Sequence, residues 1–522
     1  MTQFDALVVG GGHNGLVAAA YLARAGLRVG VLERYHTVGG AAISEELIPG
    51  FTVSTASYVL SLAPRKILDE LRLRDHGLAL IQRDPHHFLP LPDGRSIALW
   101  QDPRRRYDEL ARFSRRDADR WAAYDAFIER AATVMDGFIL RPPPTWAEVA
   151  AAFQDAGAAL AFQKAVLGSS ADIAEHFFES EPVQALVADL GITGTFRGPR
   201  DAGTGYVHLY HAMGASSGAR GVWSFVRGGM GGVTRALAAA ARSAGATIRT
   251  GCEVSSILVR GGRAVGVVTA AGEELRSRVV LSNADPQRTY LRLVGSANLP
   301  GAFAEAVRAI KLTSPVMKIN LALAELPRFR AAAVAGGDSS WACRGGISIG
   351  PSIDYLQRAY EDARNGRPSD YPYMNVYAQS AVDDTLAPPG RHVLSVFAQY
   401  YPYALADGAW ATRREAIADH ALARLAEYAP NVTGAVLARQ VLAPPDLEAR
   451  FGLTGGHIFH GELVPEQAFD LRPVPGSRSY QGPIGGLYLC GSGAWPGGCV
   501  MGAPGHNAAQ EVLATWAAGG AG

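Results

Sequence analysis

Three glycines and one carboxylate near the start of the chain carry the clearest chemistry. Gly10, Gly12 and Gly15 follow the apolar run Ala6–Val9. Glu33 follows a second apolar run, Val29–Leu32, and stands 18 residues after Gly15. Between a strand and a helix, this spacing lets the backbone turn tightly at Gly10, close on a diphosphate at Gly12, and pack helix on strand at Gly15. The helix N-terminus then faces the phosphates, and the acidic residue accepts from ribose hydroxyls. A glycine turn alone is a weak signal. Strand, loop, helix, strand and carboxylate in register read as a dinucleotide site. Other residues are less committed. Lys318 interrupts the otherwise apolar stretch SPVMKINLAL. It lies either beside a redox centre or on the solvent face of a strand. His208 with His211, and His457 with His460, form two close pairs. They have no acidic or cysteine partner at ligand spacing, so no metal is expected and both pairs read as hydrogen-bonded structural histidines.

The elements that must position these groups follow from local pattern. The Ala-rich stretch Leu16–Ala25 favours a helix, and Gly26 ends it. Thr247–Leu258 reads as strand, turn, strand, and Arg263–Ala271 continues with a period of two. Val279–Pro286 and Gly486–Gly491 are short apolar strands that run into turns. These are the pieces of a doubly wound sheet separated by insertions. The expected class is therefore α/β. A discontinuous Rossmann-like domain takes residues 1–100, 220–290 and 455–522. A mixed sheet and helix substrate domain takes 101–219 and 291–454. Residues 104–190 are helical by pattern, broken at Arg141-Pro142-Pro143-Pro144. Residues 310–325 and 392–400 read as strands. The aromatics between Tyr371 and Tyr403, Tyr401 among them, either wall a substrate pocket or pack a core.

Composition narrows the classes. The chain has 522 residues, 48% apolar and 19% charged, which is ordinary for a globular protein. Lys plus Arg is 49 and Asp plus Glu is 48, a balance that gives nucleic acid no electrostatic footing. Cys252, Cys343, Cys490 and Cys499 form no Cys-x-x-Cys pair, so a reducing, cytoplasmic setting is expected. No apolar run reaches the roughly 18 residues of a membrane span. Peripheral membrane contact and self-association are left open.

Gly39-Gly40 bears on which dinucleotide binds. A glycine pair after the acidic residue resembles the extended motif of two-dinucleotide-binding-type flavoproteins, where it contacts the phosphates of FAD. No second fingerprint appears. Gly228-Gly229-Met230-Gly231-Gly232 is glycine-rich, but Thr234 stands where the third glycine would fall. One FAD and no separate nicotinamide domain are expected, with electrons leaving to oxygen or a quinone-like acceptor. Near the C-terminus, Gly491, Gly493, Gly497, Gly498 and Gly502 crowd one loop, and a helix should begin near Pro504. Its partly positive N-terminus suits the flavin edge that becomes negative on reduction.

Four stretches extend the likeness: GGGHNGLVAAAYLARAG, GGAAISEELIPGFTVSTASYVLSL, VWSFVRGGMGGVTRAL and GSGAWPGGCVMGAPGHNAA. Through them the chain resembles the phytoene desaturase-like FAD-dependent oxidoreductases. Within these it is nearest the branch of bacterial carotenoid ketolases and the mitochondrial pyridine-nucleotide-disulfide-oxidoreductase-domain protein 2. The resemblance implies non-covalent FAD held by Gly10, Gly12, Asn14, Gly15, Glu33, Arg34, Gly39, Gly40, Ala41, Val254, Gly491 and Val500, with the Val254 backbone at the adenine. It also implies that Lys318 meets flavin N5 through water, as in the wider amine-oxidase superfamily. The family's His-Pro-Gly-Gly-Gly is replaced here by Trp495-Pro496-Gly497-Gly498-Cys499. Trp495 and Cys499 therefore join Tyr401 as substrate-pocket candidates. The expected reaction is dehydrogenation of an apolar small molecule by hydride transfer to flavin N5. An amine or amino-acid-like oxidase is the alternative, and a flavin-binding interaction protein without turnover is the second.

Overall fold

The computed structural model describes residues 4–218, 220–333, 338–477 and 479–519. Its first sheet is built on Phe4–Val9, whose last four residues are buried, as a strand flanked on both edges requires. Val29–Leu32 pairs parallel on one side and Glu274–Ser282 on the other. Thr247–Arg249 extends the first edge in parallel. Glu274–Ser282 does two jobs along its length. Its start pairs antiparallel with Arg263–Thr269, and its end pairs parallel with Leu487–Leu489. Val254–Arg260 completes the antiparallel flap.

The helix His13–Arg24 follows the first strand and is buried from Asn14 to Ala23. Its small residues let two helices approach closely, Gly231–Ser243 and the C-terminal Ala503–Ala517. The second contact has no room for a side chain, because a Cβ on Gly505 would lie 2.0 Å from the Asn14 carbonyl oxygen. The glycine-rich segment before Gly231 has a structural job. Ser54 and Ser44 hydroxyls accept from the N–H groups of Met230 and Gly231, at 3.0 and 2.9 Å. Thr234 caps the turn at the Gly231 carbonyl.

The second sheet runs in the order Val436–Leu442, Val316–Leu323, His392–Gln399, Tyr373–Tyr377, Gly346–Ile349, His87–Pro90, Ser96–Leu99. Residues 87–99, placed with the first domain from sequence, thus pair into this second sheet. The chain crosses over early because Phe88 packs against Phe329 and Trp341. All eight residues of Val316–Leu323 are buried. Met317, Ile319, Leu321 and Leu323 pack with Ile417, Ala418 and Ala421 of the helix Trp410–Ala426. By the period of two, Lys318 and Asn320 share the opposite face. A helical layer runs from Pro103 to Ala188, and its longest member, Arg115–Ile139, ends just before the proline triplet.

Gly505→Ala is expected to force the C-terminal helix off Asn14 and to cost roughly 1–3 kcal/mol, the range for overpacked sites. Thermal unfolding of the purified variant measures this, and an unchanged midpoint would mean that the helices separate freely.

Candidate functional site

A cleft opens at the C-terminal ends of the parallel strands, where open α/β sheets bind ligands. Val9, Leu32 and Asn283 mark the three strand ends on it. Gly10, Gly12, Asn14, Glu33, Arg34, Gly39, Gly40, Ala41 and Val254 all line it. Local geometry explains the glycines. Gly10 has φ +95°, which only glycine adopts without strain. Gly39 donates its N–H to the Gly11 carbonyl at 2.9 Å, and a Cβ on Gly40 would touch the Gly12 Cα at 3.4 Å. The second glycine pair therefore lies directly on the first loop.

Three candidates do not reach the cleft. Gly15 serves packing, since a Cβ there would sit 2.3 Å from the Gly10 oxygen. Gly491 abuts the Asn283 main chain, where a Cβ would be 2.7 Å from its oxygen. Val500 is half-buried and lines neither this cleft nor the cavity described below.

Glu33 is 7% exposed and holds two backbone donors, Gly11 N–H at 2.7 Å and Tyr35 N–H at 2.8 Å. Burial raises its carboxyl above the usual range despite those bonds. Each oxygen keeps a second lone pair for a ribose hydroxyl. Arg34 donates to the carbonyls of Ala449 and Arg450, at 3.2 and 2.6 Å, so it ties a remote helix end to the cleft rim. Sequence reasoning missed His13, Asn283, Arg450, His460 and Ser492, which also line the cleft. His13 lay inside the glycine motif, and Asn283 ended a recognisable strand. Arg450 had no local signal, and His460 was read as half of a hydrogen-bonded structural pair, whereas its Nδ1 has no protein partner. His13 Nε2, Asn14 Oδ1 and His460 Nδ1 are buried polar atoms without a protein partner. Burial holds both imidazoles neutral, down to about 4. A polar ligand with donors and acceptors of its own would satisfy these atoms, and a dinucleotide has them.

A second cavity of about 410 Å³ lies between the helical layer and the second sheet. Trp121, Tyr124, Ile128, Leu186 and Val187 come from the helices, and His87, Tyr373, Asn375 and Tyr377 from the sheet. Tyr58, Arg83, Asp189 and His211 complete this part of the wall. Burial raises the Asp189 carboxyl to about 7, although the Ser348 hydroxyl donates to it at 2.7 Å. The Cys499 loop stands between the two cavities. Its main chain adjoins the His13 imidazole, and its Sγ is 3.7 Å from His211 Nε2. His211 Nδ1 faces the carbonyls of Leu190 and Val207 at 3.0 Å, so it carries the proton and Nε2 offers a lone pair to the thiol. Burial raises the Cys499 thiol far above neutrality, which opposes a thiolate role.

Lys318 is 1% exposed, which rules out the solvent-face reading. Its Nζ donates to Asn320 Oδ1 at 2.6 Å and to Ser395 Oγ, and sits 5.7 Å from the Tyr58 ring centroid. Burial alone lowers it to about 7. Asn320 is fixed in turn, donating to the Thr55 carbonyl and to Gln440 Oε1. The chain from Thr55 to Tyr58 also bonds back to the cleft, through Ser57 N–H to the Ala41 carbonyl. Trp495 and Tyr401 line neither cavity. Trp495 is buried against Phe469 and donates to the Phe138 carbonyl at 3.2 Å, because its loop anchors the long helix. Tyr401 packs within the core of the second sheet, and of the flagged aromatics Tyr373 and Tyr377 reach the cavity. Neither histidine pair joins a metal-binding cluster. Among the described residues no group of three or more His, Cys, Asp or Glu could hold a metal ion. Among them, no helix is long and apolar enough to cross a membrane.

Glu33→Ala leaves two buried N–H groups unpaired, at about 1–3 kcal/mol each. The purified variant is expected to unfold at lower temperature and to have lost most of its bound cofactor, with Glu33→Gln intermediate. Full cofactor content in the alanine variant would remove Glu33 from the site.

Residues 15–513 match the family model described as flavin containing amine oxidoreductase. The pyridine nucleotide-disulfide oxidoreductase domain-containing protein 2 of Mus musculus is 42% identical, over 98% of this chain and 93% of its own. A lycopene-forming phytoene desaturase of a Paracoccus species is 22% identical over 97% of each chain. A solved putrescine oxidase bound to putrescine superposes with a TM-score of 0.62, at 16% identity and 99% coverage of both chains, which shows a shared fold. The chain belongs to the flavin-containing amine oxidoreductase family, and it is an FAD-dependent oxidoreductase with the two-dinucleotide-binding-type fold.

Proposed function

We propose that this FAD-dependent oxidoreductase dehydrogenates an organic small molecule held in the 410 Å³ cavity, with Lys318 handling a proton. FAD, held by Gly10, Gly12, Glu33, Gly39 and Gly40 on the cleft, would supply two-electron redox chemistry as a hydride acceptor, with oxygen or a quinone-like compound as the final oxidant. The observation that carries the reading is the contact chain between the cavities: His13 on the cleft, Cys499, then His211 on the cavity. Lys318 approaches the same place through Tyr58. Two of its Nζ donors are spent on Asn320 and Ser395. With a pKa near 7, the amine gives up its proton at little cost, which suits a proton acceptor at neutral pH.

The helical wall, with Trp121, Ile128, Leu186 and Val187, favours an apolar substrate body. The phytoene desaturase among the relatives supports the same class. A second reading, oxidation of an amine, draws on the stacked pair Tyr58 and Tyr377, whose ring centroids are 4.6 Å apart. Against it, the Arg83 guanidinium already sits 5.8 Å from the Tyr377 centroid, and a second cation there is repelled.

Mixing the FAD-loaded protein anaerobically with a panel of organic alcohols, alkenes, acids and amines tests the proposal. At least one compound is expected to bleach the flavin absorbance, and a panel in which none does sinks the enzymatic reading. With a reducing substrate, Lys318→Met should keep full FAD and slow reduction by about 10²–10⁴-fold. Because Lys318 accepts a proton only when neutral, the wild-type rate should rise with pH through about 7, and the variant's should not. Identical pH profiles would remove Lys318 from the chemistry.

A further inference from the structure

Among the described residues, Arg83 is the one cation on the wall of the second cavity without a carboxylate partner. Arg83 is 4% exposed, at the turn after the strand Leu80–Gln82. Its Nε–H donates to the Trp223 carbonyl at 2.7 Å, the guanidinium hydrogen-bonds the Tyr377 side chain, and the rings of Phe225 and Tyr377 flank it at 5.6 and 5.8 Å. Among the described residues no carboxylate lies within ion-pair distance of it. The other charges on the cavity wall are answered. Arg220 pairs with Glu129 and Asp136 at 2.7 and 2.8 Å, and Arg106 approaches Asp125 at 3.6 Å. Asp189 is met by the Ser348 hydroxyl and lies 3.7 Å from His87.

An arginine stays protonated when buried, so it cannot relieve its burial by neutralising. A buried cation without an anion is destabilising, and an anion arriving from outside relieves that cost. The planar fork matches a carboxylate with two parallel hydrogen bonds. Trp223 and the two rings fix the fork's orientation before any ligand enters, which lowers the ordering cost of binding. The helical wall of the same cavity offers Trp121, Ile128, Leu186 and Val187 as its apolar part, beside the paired charges of Arg106, Asp125 and Glu129.

We infer that Arg83 is the anion-binding residue of this cavity, and that its ligand is an amphipathic carboxylate whose apolar body lies against Trp121, Ile128 and Leu186. The inference rests on the cavity being the substrate site and narrows the substrate to an organic acid. The shared chemistry, one anionic head on an apolar body, could also come from a phosphate monoester.

The test is binding of octanoate, octyl phosphate, octanol and octylamine to the FAD-loaded protein, read by calorimetry and by perturbation of the flavin spectrum. Octanoate is expected to bind at least about tenfold more tightly than octanol, as a charge-assisted hydrogen bond implies. Octylamine should bind most weakly. Arg83→Met should weaken octanoate by roughly 10- to 100-fold and leave octanol unchanged. Arg83→Lys should recover part of the loss, because it restores the charge without the fork. Equal affinity for octanoate and octanol overturns the inference, as does tightest binding of octyl phosphate or of octylamine. If Arg83→Met loses FAD, the wild-type ligand series still decides. Failure of every compound to bleach the flavin would remove the enzymatic reading and leave this binding result standing.

Discussion

The buried carboxylate of Glu33 is the joint on which the rest of the site depends. It takes the Gly11 and Tyr35 N–H groups, while Gly11 returns its carbonyl to Gly39. Two segments, the glycine loop at Gly11 and the stretch from Glu33 to Gly39, are thus locked at the ends of parallel strands, where the cleft forms. The lock works because it is dry. In water the same bonds would be exchanged for solvent at little net gain, whereas here an unmade bond would strand a buried donor.

A second constraint is steric and runs from helix to helix. The C-terminal helix can touch Asn14 because residue 505 has no side chain, and Asn14 Nδ2 donates to Ser492 Oγ at 3.2 Å. The two ends of the chain therefore meet on the floor of the cleft. From there the Cys499 loop carries the contact to His211 and the second cavity. In the second sheet, strand periodicity places Lys318 and Asn320 on the face turned to Thr55 and Tyr58, away from the helix Trp410–Ala426. The same alternation that buries Met317 and Ile319 on one side buries a lysine on the other. Desolvation then lowers its pKa with no charged neighbour involved.

The cavity wall is divided in character. Its helical side is mainly apolar, and its sheet side carries tyrosines, Asn375 and His87, with Arg83 close by. Such a wall orients a ligand that has two unlike ends, because neither end is well solvated on the wrong side. The Tyr58–Tyr377 stack separates the Lys318 region from the Arg83 region.

By itself, the sequence determined what local rules govern. The strand–glycine loop–helix–strand unit, its acid at Glu33, the glycine pair at 39 and 40, and the helix after Pro504 follow from spacings of a few residues, which act through backbone geometry. They led to a dinucleotide, and the wider resemblance led to FAD, which the family match bears out. The strands around Lys318 and at 392–399 were legible for the same reason. Tertiary structure decided what depends on convergence. It showed Trp495 and Tyr401 to be core residues, since a buried aromatic reads alike in sequence whether it faces a ligand or another ring. It settled that Lys318 is buried, which a strand's two faces leave open. It also brought Arg83, Asp189, His211 and Tyr377 onto one cavity from four distant segments. No periodicity reports such a meeting, because it is made by the packing of a helical layer on a sheet.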